Sequence, residues 1–359
     1  MVSVKRLMSL TPKDIILSSC DYGYRYLRDN PFMPAGHNGP YDDPETPVRN
    51  NAHWAMIFIK GFELTERREY LESAEKCLAY LKANITDKSP VFFCRDKAGK
   101  DHTNGLIGQA WAIEPFMAIQ KFSSDQHLLE IGADVIKQHF FDQKVGIWKV
   151  CDQFGKTTGF DHTFNHQLWF ASIASYYKAY DPEIAAMVTQ FLDCIDNNIV
   201  VRTNGRIGQA IFSNTLESII KPSLKKIFRK DEMHYMRLKE VGYHAFNTYA
   251  FAMLNSNYPE HEFWRSSNFK AVIGYLNSSE YKSEIYLSKY GFRYNPPGME
   301  VLASSSYFHD FFEIEEKFVL EIWQHQLDLC WNSKDELMSK GSFDRHTNAA
   351  RAYECHLCC

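Results

Sequence analysis

The sequence has no apolar run approaching the roughly 20 residues of a membrane span. Its first residues, MVSVKRLMSLTPKDIILSS, carry basic groups but no continuous apolar stretch of the kind that opens a secretory signal. Excess charge is also lacking: 40 Lys and Arg stand against 44 Asp and Glu, a formal net charge of −4. No global field therefore attracts nucleic acid or an anionic membrane, and neither is expected as a partner. The nine cysteines are odd in number and scattered, without the spacing of a disulfide framework, so a reducing cytoplasm is the expected compartment. There is no HExxH, no paired CxxC set, no Walker loop and no GxGxxG after a strand. Cys355, His356, Cys358 and Cys359 crowd together at the C-terminus, too close in sequence for all four to reach one tetrahedral centre. No metal and no cofactor is expected.

What is abundant is apolar and aromatic: 45% hydrophobic residues, with 26 Phe, 20 Tyr and 7 Trp. Apolar residues recur at i, i+3, i+4 and i+7 over 51–63, 66–84, 105–121, 125–140, 164–180, 182–199, 244–255, 261–276, 313–332 and 344–358, which predicts helices there. Two stretches break the rhythm, 85–103 and 286–308, and each is read as room for a short hairpin. The helices come in pairs, giving a repeat of roughly 50 to 60 residues. The strings NGLIGQA from Asn104 and NGRIGQA from Asn204 read as a second sign of repetition, each opening a helix. One domain over 1–359 is favoured over two. The most basic stretch, 221–240, reads as a solvated surface helix, with a docking site for an acidic glycan or membrane surface as the alternative.

Polar strings recur where the first helix of each pair begins: RNNAHWA (49–55), DHTNGLIGQAW (101–111), FDHTFNHQLWF (160–170), GYHAFN (242–247) and FDRHTNAARAYE (343–354). Helix capping explains an isolated Asp or Asn, at about 1 kcal/mol each. It does not explain His53, His102, His162, His166, His244 and His346, which cluster at these points. If the first helices form an inner ring, their N-termini gather at one mouth. There His162, Asn165, His166 and Trp169 share one helical face, and the rings of Trp54, Trp111 and Trp169 are suited to stacking on sugars or to core packing.

The paired helices with the strings NGLIGQAWAIE, AHW and DRHTNAARAYE resemble the six-hairpin toroid superfamily of carbohydrate-active proteins, over most of the chain. Within it they are most similar to hydrolase-like proteins of prokaryotic polysaccharide and glycosylation gene clusters. The resemblance implies an all-α (α/α)6 toroid with one or two short β-hairpins in loops, and an oligosaccharide or polysaccharide substrate. The leading expectation is a glycosidase with carboxylate acid and base drawn from Asp161, Asp101 and Asp344, and with Glu114 as a weaker candidate. His53, Trp54, His102, Trp111, His162, Asn165, Trp169, Tyr243, His244 and Arg345 would then bind substrate. Asn165-His166 also resembles the Asn-His pair of toroidal polysaccharide lyases, with His166 catalytic and Tyr243, Tyr353, Arg345 or Arg351 as partners. A toroidal sugar epimerase and a non-catalytic glycan-binding protein are the remaining alternatives.

Overall fold

The computed structural model describes residues 10–85, 89–211, 230–310 and 312–358. It is an all-α (α/α)6 toroid. Six helices form the inner layer: α2 (Val48–Thr65), α4 (Gly105–Ala118), α6 (Phe164–Ser175), α9 (His244–Asn257), α12 (Pro297–Tyr307) and α14 (Arg345–Ala350), the last continued by a 3-10 segment, Arg351–Cys358. Each packs against the next, and the last packs back on α2, so the ring closes. The outer layer holds α1 (Pro12–Asp29), α3 (Arg68–Ala83), α5 (Gln126–Gln138), α7 (Pro182–Asn198), α8 (Lys230–Gly242), α10 (Ser267–Tyr275), α11 (Ser279–Glu284) and α13 (Glu316–Cys330). Among the described residues no helix is long and apolar enough to cross a membrane.

Burial explains why the two layers read so differently in sequence. In α4 every residue from Gly105 to Phe116 is buried, because one side meets the outer helices and the other the ring interior. An outer helix such as α5 buries only Leu128, Leu129, Ile131, Gly132, Ala133, Val135 and Ile136, one amphipathic stripe. Its neighbour α7 begins where the Asp181 carboxylate caps the amides of Glu183 and Ile184, with Pro182 at the first helical position.

Three inner helices carry the same device near their first turn. The Asn51 side chain bonds both the amide and the carbonyl of Met33, at 3.1 Å each. Gln109 bonds the amide and carbonyl of Phe92 at 2.7 and 2.9 Å, and Gln167 those of Trp148 at 2.9 and 2.7 Å. These residues stand 58 apart in sequence (51, 109, 167), so each clamps the incoming loop onto its helix at the true period of the repeat.

Several sequence expectations are corrected. The stretch 286–308 is no hairpin: its second half is the inner helix α12, masked in sequence by YNPPG, because Pro297 sits harmlessly at the helix start. Among the described residues of 85–103, Ile85 is bridged to Phe92 and Arg95 to Glu45 as isolated pairs. The strands lie elsewhere, in an antiparallel sheet β1 (Phe141–Asp142), β2 (Ile147–Cys151), β3 (Thr157–Phe160) and a pair β4 (Trp331–Asn332), β5 (Leu337–Met338). NGRIGQA is itself not helical, unlike NGLIGQA; it is a loop around Gly205, φ +92°, bridged at Val201 and Ile207, and residues 212–229 after it lie outside the described ones. The predicted helix 261–276 breaks into a 3-10 turn, Glu262–Arg265, and α10. Residues 221–229 of the basic stretch lie outside the described residues.

Gln167→Leu is expected to lower stability by about 1–3 kcal/mol for each Trp148 amide or carbonyl left buried and unpaired. Urea unfolding checks this, and an unchanged midpoint would show that the clamp contributes nothing.

Candidate functional site

All six inner helices run the same way, so their N-termini meet at one mouth. There a cavity of about 230 Å³ opens, lined among others by Asn165, His166, Trp111, Tyr243, Lys239 and Arg95. A shallower trough of about 580 Å³ adjoins it and adds Asp101, His102, Asp161 and His162. His166 borders both.

The chain delivers His166 and its partner from two elements. Strand β3 ends at Phe160 and hands Asp161 to the mouth, and α6 begins three residues later. Asp161 Oδ2 lies 2.8 Å from His166 Nδ1 and also accepts the Leu106 amide of α4 at 3.2 Å, while Oδ1 accepts the Thr163 amide at 3.0 Å. Burial alone pushes the Asp161 carboxyl up, but the His166 ring and these two amides outweigh it, and its pKa ends below the ordinary aspartate value. The carboxylate is therefore held ionised and acceptor-only, which fixes the His166 tautomer with a proton on Nδ1 and leaves Nε2 for a ligand. Gly105 makes the approach feasible. Its φ is +61°, and a Cβ there would sit 2.6 Å from Asp161 Oδ2 and 3.0 Å from His166 Nδ1.

Asp101 occupies the same helix N-terminus, with Oδ2 accepting the Gly105 amide and Oδ1 the Thr103 amide and hydroxyl. Asp101 and Asp161 thus take consecutive amides of α4, where the helix dipole favours negative charge. Across the cavity the Tyr243 hydroxyl lies 3.1 Å from that of Tyr41 and donates to Tyr294 at 3.5 Å, which donates to Asn38 at 2.7 Å. Burial, then Tyr294 and Tyr41, hold the Tyr243 phenol well above its usual pKa, so it stays protonated. Lys239 lies over Tyr41, Tyr290 and Tyr243 at 5.2, 5.7 and 6.0 Å, and burial followed by Lys289 lowers its pKa. Among the described residues no carboxylate pairs with it. Arg95 bonds Asn104 and faces Asp43 at 3.6 Å.

The mouth brings together Asp101, His102, Trp111, Asp161, His162, Asn165, His166 and Tyr243 of the sequence candidates. It does not bring the others. Trp54 is fully buried against Tyr22 and Phe58, and Trp169 is stacked on Phe246 at 4.5 Å, so neither has a face open to a sugar. His53 is sealed beneath Trp111, and His244 turns outward to the Val272 carbonyl at 2.9 Å. Asp344 caps α14 through the His346 and Thr347 amides and meets Arg49 at 3.5 Å. Arg345 is exposed and paired with Asp335. Arg351 is buried between Glu300 and Glu354 and bonds the Tyr294 carbonyl and Asn295, so it braces the wall without entering the cavity. Tyr353 and Glu114 lie at the far end of the ring. Sequence reasoning missed Tyr41, Arg95 and Tyr294, which arrive on loops with no helical period. It missed the role of Lys239 too, although that residue is the last basic group of the stretch 221–240. Among the described residues no group of three or more His, Cys, Asp or Glu could hold a metal ion.

No family model matches the sequence. Archaeal glycosylation protein Q of Haloferax volcanii is 35% identical over 358 residues, spanning 95% of each chain. The chain belongs to that protein's family. Among solved structures, this member of the archaeal glycosylation protein Q family resembles a D-mannose isomerase, with 13% identity, TM-score 0.62 and 98% and 99% of the two chains covered. It also resembles an unsaturated glucuronyl hydrolase specific for heparin, with 11% identity, TM-score 0.62 and 96% and 95% covered. These likenesses establish the six-hairpin toroid.

Because the folded pKa of Asp161 lies below its unfolded value, its contribution is present above the ordinary aspartate range and lost as pH falls through the folded value. Asp161→Asn is expected to cost about 1–3 kcal/mol near neutral pH. That gap should close below about pH 4, as followed by urea midpoints across pH; a gap independent of pH would contradict the assignment.

Proposed function

We propose that this protein is a carbohydrate-active enzyme that works on an acidic sugar, and that His166 removes the proton from the carbon bearing the sugar carboxylate. The observation that carries this is the Asp161–His166 pair at 2.8 Å, facing a cavity whose other walls supply cations and a protonated phenol. In this reading His166 Nε2 takes the C–H proton, and the electron pair moves into the carboxyl group. Lys239, Arg95 and the Asn165 amide stabilise the resulting dianion. The Tyr243 hydroxyl then returns a proton. Given to the opposite face of the carbon it inverts the centre; given to a departing glycosidic oxygen it completes β-elimination. Of the two structural neighbours, the unsaturated glucuronyl hydrolase is named for an acidic sugar and the D-mannose isomerase for a neutral one, so only the first name accords with a substrate of this kind.

Glycoside hydrolysis, the leading expectation from sequence, keeps one specific support: Asp101 and Asp161 sit side by side on the Gly105 and Leu106 amides. It needs one of them protonated at neutral pH. The donors around Asp161 favour its ionised form, which is why proton transfer by His166 is preferred.

Incubation with uronate-containing and neutral oligosaccharides in deuterated water is expected to put deuterium on the carbon next to the carboxylate of the acidic sugars. His166→Ala should slow this by roughly 100-fold or more, Asp161→Asn by about 10- to 100-fold, and Lys239→Met should raise KM for acidic sugars. New reducing ends without deuterium on carbon would overturn the proposal in favour of hydrolysis.

A further inference from the structure

A second cavity, of about 430 Å³, lies where the inner helices end. Glu114 on its floor is nine residues beyond Gly105 on α4, about 13 Å along the helix axis, so this space is separate from the mouth. Its walls are mainly apolar and aromatic: Tyr176, Tyr249, Tyr307 and Tyr353, with Met117 and Met253 between them. Glu114 is 6% exposed. Its Oε2 accepts the Tyr353 hydroxyl at 2.8 Å, and no described residue donates to Oε1.

This carboxyl lacks a counter-ion although basic groups are close by. Lys60, Lys121 and His356 stand at the rim, and all three bind Glu63 instead, at 2.9, 3.0 and 3.1 Å. A carboxylate buried without a cation is costly, and burial pushes Glu114 up to about 8. The Tyr353 hydroxyl, Lys60 and Arg351 pull it down and Glu354 pushes it up. His356 is driven down to about 4, mainly by burial, and so is neutral near pH 7. Tyr249 and Tyr176 face Glu114 as uncharged phenols, each held above its usual pKa chiefly by burial.

We infer that this cavity is a binding site for a small organic ammonium ion, whose charge is met by Glu114 and by the faces of the surrounding tyrosines. A weakly hydrated cation gains from aromatic faces in a desolvated pocket, and the volume suits a small molecule. One carboxylate with no further oxygen cluster is a poor set for calcium or magnesium, which need six or more oxygens. A neutral sugar would find too few polar partners among tyrosine rings and thioethers. Nothing in the chemistry at the mouth uses this site.

Isothermal titration of the full chain with choline tests this, with 3,3-dimethylbutan-1-ol as the neutral isostere and decanoate as an amphipathic anion. Choline should bind at least about tenfold more tightly than its isostere. Its affinity should rise by up to tenfold per pH unit toward about pH 8, because binding takes Glu114 in its ionised form. Glu114→Gln should weaken choline at least about tenfold. Tyr307→Ala, at the half-buried rim where folding is less at stake, should weaken it severalfold, whereas His166→Ala at the other mouth should leave it unchanged. Equal binding of the isostere, a preference for decanoate, or no binding of millimolar choline to folded protein would overturn the inference.

Discussion

Asp161 joins two neighbouring inner helices at the mouth. Its carboxylate reaches the N-terminus of α4 through the Leu106 amide and grips His166 in the first turn of α6. A helix N-terminus leaves several amides without intrahelical partners and carries a partial positive charge. The same anion that satisfies this end therefore also orients the imidazole. The cavity depends on that double use: without Gly105 the carboxylate would be displaced, and without the carboxylate the ring would lose its fixed tautomer. The clamp of Gln167 on the Asp161 carbonyl, at 3.0 Å, holds the same loop from behind.

The ring has a chemical polarity because its inner helices are parallel. At the N-terminal mouth, loops contribute Arg95, Tyr41 and Tyr294, and the surface is rich in donors. At the other end, α4 and α9 present Met117, Tyr249 and Met253 around Glu114. Between the two ends the axis is filled by buried groups. His53 lies 3.4 Å from the Tyr353 hydroxyl that donates to Glu114, and Arg351 is held between Glu300 and Glu354. Burial, followed by Arg49 and Arg351, keeps His53 well below its ordinary pKa, so it is a neutral spacer.

The polar strings that open the helices were legible because each is local. Asp161, Asn165 and His166 sit within six residues, and helical spacing alone puts Asn165 and His166 at the start of α6. The clamp residues were also present in sequence at a period of 58, but an isolated Asn or Gln inside an apolar helix carries no periodic signal of its own. Lys239, Tyr41 and Arg95 come from an outer helix and two loops, so no local pattern links them. Trp54 and Trp169 show the opposite failure. Trp169 stands one 58-residue period after Trp111, and Trp54 is one residue off that register, which His53 occupies. Of the three only Trp111 reaches the cavity, because Trp54 packs outward on Tyr22 and Phe58 while Trp169 lies under Phe246.

By itself the sequence determined the helical class, the pairing of helices and the grouping of polar residues at helix starts, all of which follow from local periodicity and capping. Tertiary structure decided which of those residues face a common space, since that depends on the rotation of each helix about its own axis within the ring. It also decided protonation. Asp161 looks in sequence like an acid for hydrolysis, whereas two backbone amides and an imidazole hold it as an anion. Glu114 looks like any carboxylate in a helix, whereas burial among tyrosines favours its neutral form. A carboxyl's charge is set by its surroundings: for Glu114 these come from distant parts of the chain such as Tyr353, whereas Asp161 meets His166 and Thr163 locally and only the Leu106 amide from afar.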